Sequence, residues 1–252
     1  VPAPHRFVAH VIEEAENKIH EDDVARRFGF SGALVPGVEL FARITTPLVS
    51  TWGEQWLRGG RLDVRFRRPV YDGEELLVEL TDDALAVTGP DGVTRCVGAA
   101  GPTAEQPDRS ALAETSSAAE AVVEPVTDPV PGPFVSVHEA GTVEENEWYV
   151  DAVGEPLTLY REKSWAHPGL LLRAVNSLLM QNVALGPWIH TASRCRFLGV
   201  AHLPAQLAVH GQVTAVGRRG GHDEVRYDAL VLADDEPVLH VHHTALYRLA
   251  TD

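Results

Sequence analysis

The sequence predicts an α+β protein of two similar units, each an antiparallel sheet wrapped around one long helix. Three observations carry this. First, the 252-residue chain nearly repeats itself. Pro36-Gly37-Val38-Glu39-Leu40 returns 132 residues later as Pro168-Gly169-Leu170-Leu171-Leu172, Trp56-Leu57 as Trp188-Ile189, and Arg65-Phe66, 131 residues later, as Arg196-Phe197. Second, each Pro-Gly opens a stretch of helical periodicity. Third, each stretch gives way to two-residue alternation, the period of a half-buried strand. The repeat is too long for a solenoid and has the size of a small domain, so it reads as duplication and fusion. The expected division is 1–101, a linker at 102–133, and 134–252.

The elements follow in order. Phe7, Val8, His10 and Ile12 suit a short strand or extended lead-in. A short helix is expected over 22–28, broken by Gly29-Phe30-Ser31-Gly32. Val38, Phe41, Ala42, Thr45, Leu48 and Val49 carry the long helix of 34–52, with Pro36 near its start. Pro47 is expected to kink it or end its regular hydrogen bonding. Leu62, Val64 and Phe66 then face one way, and Arg61, Asp63, Arg65 and Arg67 the other. Strands at 74–87 and 93–101 are joined by the turn Gly89-Pro90-Asp91-Gly92. Residues 102–133 are rich in Ala, Ser, Glu and Pro, with some helix expected around 110–121. The second copy repeats the plan, with strand-like 134–143, a helix over 168–185, and strands at 188–197, 205–216, 225–233 and 238–249. A sheet wrapped around a helix in this way is a hotdog, and two in one chain make a double hotdog.

Composition narrows the function. A hydrophobic share of 44% with 23% charged residues is ordinary for a globular protein. No run approaches the ~18 apolar residues of a membrane span. The opening Val1-Pro2-Ala3-Pro4-His5-Arg6 lacks the apolar core of a secretory signal. Cys96 and Cys195 stand alone on apolar stretches and read as small buried hydrophobes, so a cytoplasmic setting is expected. The net charge of -15 opposes nucleic-acid binding. It leaves room for a local basic strip, and Arg58, Arg61, Arg65, Arg67 and Arg68 form one. His240 and His242 share a strand face beside His243. With no Cys or carboxylate third ligand near them in sequence, a metal site is not expected, and no cofactor motif is found.

Asn17-Lys18-Ile19-His20-Glu21-Asp22-Asp23-Val24-Ala25, then Gly29-Phe30 and Leu34-Val35-Pro36-Gly37, resembles the MaoC-like family of (R)-specific enoyl-thioester hydratases and dehydratases. Arg65-Phe66, Pro69-Val70 and Gly73-Glu74 are similar to the strand after that family's helix. The second copy carries no Asn-x-x-His. Three positions depart from the family pattern: Ala15 stands where an aspartate is expected, Lys18 where a proline is, and Pro36 where a histidine precedes the glycine.

The resemblance implies a hotdog enzyme acting on a thioester of coenzyme A or acyl carrier protein. It implies His20 as acid/base, Asn17 as its polar partner, and the Gly37 amide as donor to the thioester oxygen. Glu14 or Glu16 would stand in for the absent aspartate. The carboxylates of Glu21, Asp22 and Asp23, if close, would favour the imidazolium form of His20 and suit it to general-acid work. Arg61, Arg65 and Arg67 would meet the carrier's phosphates or acidic face. Two alternatives stand beside this reading. One is a thioesterase in which Glu14 or Glu16 activates water, and the other is a non-catalytic acyl-thioester-binding or structural module. A homodimer of double hotdogs is a further expectation.

Overall fold

The computed structural model describes residues 3–12, 17–103 and 124–250. Glu14, Ala15, Glu16 and the helix expected at 110–121 lie outside the described residues. The first copy contains β1 (His5–Val8), a 3-10 turn (Lys18–His20), α1 (Asp22–Arg27), α2 (Gly37–Trp52), α3 (Glu54–Gly59), β2 (Arg61–Phe66), β3 (Glu75–Thr81), β4 (Ala84–Thr88) and β5 (Thr94–Gly101). The second contains β6 (Gly132–Pro133), β7 (Val137–Gly141), α4 (Val143–Ala152), α5 (Leu159–Glu162), α6 (Pro168–Asn182), β8 (Ile189–Phe197), β9 (Ala205–Arg219), β10 (His222–Ala233) and β11 (Glu236–Arg248).

The sequence repeat becomes a repeat of topology. The first copy orders its strands β1-β3-β4-β5-β2, and the second orders β7-β9-β10-β11-β8. The equivalent strands β2 and β8 pair antiparallel and join both into one 11-stranded sheet. At the seam Arg61 opposes Arg196, Asp63 opposes Arg194, and Arg65 opposes Ala192. Each partner is the repeat equivalent of the residue opposite its own equivalent, as a two-fold relation between copies requires. The Asp63 carboxylate holds the Arg196 guanidinium across this seam.

Both long helices bury one face against the sheet. Phe41, Ile44 and Leu48 of α2 and Leu172, Val175 and Leu178 of α6 are fully enclosed. Burying side chains of this size stabilises by about 1.5–3 kcal/mol each. The double-hotdog expectation is met.

Two local expectations change and one narrows. The strand expected over 74–87 is two strands, because Asp82 takes a left-handed backbone, φ 56°, and turns the chain. Aspartate enters that region more readily than most residues. Pro47 does not end α2, which runs on to Trp52 with Pro47 buried inside it. The lead-in expected over 134–143 stops at Gly141, where Thr142 caps α4 by accepting from the Glu145 amide at 3.0 Å. Thr142-x-x-Glu145 is a capping-box spacing that marks the helix start in the sequence.

Candidate active site

A cavity of about 900 Å³ lies between the copies. The first copy supplies residues around His20, the start of α2 and the end of β2, while α6, the start of β8 and Arg219 come from the second.

His20 sits at the end of the 3-10 turn and lines this cavity. Its Nδ1 lies 2.6 Å from the Leu34 carbonyl oxygen. A carbonyl only accepts, so Nδ1 carries the proton and Nε2 keeps its lone pair. Burial lowers the His20 pKa below the usual imidazole value, and the Leu34 contact only partly opposes this. The side chain is therefore neutral near pH 7, which suits a general base and overturns the expected imidazolium. The carboxylates thought to raise it point elsewhere. Glu21 binds Lys18 at 2.7 Å, and Asp22 binds Arg26 at 2.8 Å and the Ala33 amide at 2.8 Å.

Asn17 does more structural work than expected. It caps the turn by accepting from Ile19 N, and it pairs in both directions with the Trp188 backbone, donating at 2.8 Å and accepting at 3.2 Å. This ties the His20 turn to the second copy. The Asn17 Nδ2 is also 3.4 Å from His20 Nε2, so it orients the imidazole.

The start of α2 forms the cavity's electropositive wall. Pro36 is its N-cap and offers no side-chain cap. The first amides to bond back are those of Glu39 and Leu40, to the Pro36 carbonyl. The Gly37 and Val38 amides have no acceptor among the described residues, and the dipole of a 16-residue helix ends there. Beside them stands His190, absent from the sequence reading. Its Nε2 lies 2.8 Å from Ser193 Oγ, which lies 3.0 Å from His243 Nδ1. Its Nδ1 faces Gly37, buried and without a hydrogen-bond partner among the described residues. Burial holds His190 neutral, with its pKa pushed down to about 3. This wall therefore offers hydrogen bonds that no group among the described residues uses.

The equivalent helix start in the second copy is closed. The Gly169 amide donates to His167 Nδ1 at 3.0 Å, so α6 is capped by its own histidine. The rings of Tyr149 and Tyr160 pack on His167 at 5.5 and 4.5 Å. Asn146 accepts from the His167 amide at 2.8 Å. Glu155 Oε2 is 2.6 Å from Thr46 Oγ1 and 3.3 Å from His167 Nε2. Burial raises the Glu155 pKa, but the His167, Thr46 and Leu157 contacts outweigh it and hold the carboxyl below its usual value. A depressed carboxyl stabilises the fold fully above its unfolded pKa, near ~4.3, and loses that contribution as pH falls through the folded value. Glu155→Ala should cost about 1–3 kcal/mol for each group it strands, measured by urea unfolding at neutral pH, and the difference from wild type should shrink in acid.

Five arginines and a single carboxylate line the cavity among the described residues. Arg65 and Arg67 are there with Arg68, and none of these three makes an ion pair among the described residues. Arg61 is not: it binds Asp83 at 2.9 Å outside the cavity. The carboxylate is Glu39, which the sequence reading passed over. It is buried on α2, with Arg173 Nη1 3.8 Å from its Oε1. Cys96 and Cys195 are buried free thiols, and burial pushes the Cys96 pKa up to about 12. No described helix is long and apolar enough to cross a membrane.

No protein-family model and no curated protein sequence matches the chain. Solved structures share its architecture at low identity. A protein described as a MaoC domain dehydratase from Chloroflexus aurantiacus aligns with a TM-score of 0.65 at 11% identity, over 99% of this chain and 96% of its own. A double-hotdog protein of Mycobacterium tuberculosis aligns at 0.62 and 14%, over 97% and 96%. A protein described as a thioesterase from Novosphingobium aromaticivorans aligns at 0.53 and 11%, over 98% and 96%. The chain has the double-hotdog fold these proteins share.

Proposed function

We propose that the protein binds an acyl thioester in the cavity between its copies and adds or removes water across an enoyl thioester. The observation that carries this is the uncapped start of α2, with two unused amides, facing a cavity that also holds a neutral histidine. The thioester oxygen gains negative charge as water adds, and the Gly37 amide and helix dipole stabilise it. His20 Nε2 takes a proton from water as its oxygen bonds to the β-carbon, and the imidazolium returns a proton to the α-carbon. Water is consumed whole and His20 is regenerated. Arg65, Arg67 and Arg68 are suited to the phosphates of the carrier.

Because the base form of His20 is required, activity should be lost as pH falls through its lowered pKa. The acid limb of kcat/KM should therefore have its midpoint below the ordinary imidazole value of 6.5. A midpoint above that value contradicts the assignment of His20 as base.

Glu39 favours a second reading, thioester hydrolysis, since a carboxylate in the cavity wall can activate water at the carbonyl. Free thiol released from an acyl-CoA, abolished in Glu39→Gln and retained in His20→Ala, would establish that reading in place of hydration.

A further inference from the structure

The histidine pair on β11 gains in the fold the carboxylate it lacked in the sequence. His240 and His242 are two residues apart on one strand, so their side chains share a face. On β10, Asp228 stands directly opposite His242. Tyr227, which pairs with His243, donates to the Val175 carbonyl of α6. The alternate residues Asp228, His240 and His242 therefore occupy the opposite face of the sheet from the helix. One donor atom from each lies within 4.8 Å of the others, and Asp228 already contacts His242 Nδ1.

We propose that Asp228, His240 and His242 form a binding site for a divalent transition metal of the zinc class. Two histidines at i and i+2 on a strand, with a third ligand on the neighbouring strand, leave a fourth position of a tetrahedral centre open. Bonds of about 2.1 Å place tetrahedral ligand atoms about 3.4 Å apart, so side-chain torsions alone must draw the donors together. His240 is buried, so a metal held there is largely screened from water. Arg194 and Arg196 lie opposite His242 and His240 on β8, and Asp63 neutralises the second of them. The remaining positive charge disfavours hard cations held by charge alone, while imidazole ligation selects zinc, nickel or cobalt over magnesium or calcium.

The test is titration of the chelator-treated full chain with Zn²⁺ by calorimetry and with Co²⁺ by visible absorption. The expected result is one ion per chain, ligand-field bands from Co²⁺, and no response to Mg²⁺. Asp228→Asn, His240→Ala and His242→Ala should each weaken binding by about tenfold or more. They should also lose the rise in melting temperature that Zn²⁺ gives the wild type. Absence of stoichiometric binding, or equal binding by wild type and all three variants, would overturn the site.

Discussion

His20→Ala is expected to lower the rate of enoyl-thioester hydration by about 10²–10⁴-fold, the range for removing a positioned general base. The effect should fall on kcat, because the groups suited to bind the thioester, at the start of α2 and among the arginines, are untouched. The acid limb of the pH profile should vanish with the side chain that titrates there. Stability should change little in comparison, since the imidazole's firm protein bond is the one to the Leu34 carbonyl, about 0.5–1.5 kcal/mol in net worth. A variant that keeps its rate would remove His20 from the chemistry.

The second large effect is expected from Gly37→Ala, read against Gly169→Ala. A Cβ at position 37 would stand 2.7 Å from His190 Nδ1 and 3.0 Å from the Phe66 ring. His190 cannot withdraw easily, because Ser193 holds its Nε2 and it stacks on His243 with ring centroids 4.1 Å apart. Overpacking of this kind costs about 1–3 kcal/mol. Disturbing the donor wall should cost about 10²–10³-fold in kcat as well. At position 169 the Cβ would meet Tyr149 Oη at 2.2 Å, in the closed copy. That variant should lose stability at the upper end of the same range, while the remaining folded protein keeps the wild-type rate. Equal rate losses in the two variants would mean that the α2 start has no special role.

The architecture was legible because it rests on local periodicity and on a repeat, both visible along the chain. Asn17, His20 and Gly37 were legible because they sit within twenty-one residues of one another in a motif. His190, Arg219 and Asp228 were not, since each acquires its role from a strand or a copy distant in sequence. Glu39 does carry a readable signal: its repeat equivalent is Leu171, a polar-for-apolar exchange two residues into the helix. The protonation of His20 does not follow from its sequence neighbours. Glu21, Asp22 and Asp23 adjoin His20 in sequence, but their contacts lead to Lys18, Arg26 and the Ala33 amide, and burial decides the titration. Arg61 was misplaced for a similar reason, since Asp83 on the turn after β3 captures it.

The asymmetry between copies is the centre of the account. The repeat gives two helix starts. One is capped by His167 and covered by α4 and α5, and the other is left open with unused donors. The most direct test is incubation of the protein with crotonyl-CoA, following the enoyl absorbance and free thiol in the same sample. The account predicts loss of enoyl absorbance without thiol release, and retention of that absorbance in His20→Ala. Thiol release in step with the loss, or an unchanged enoyl signal with wild-type protein, would contradict it.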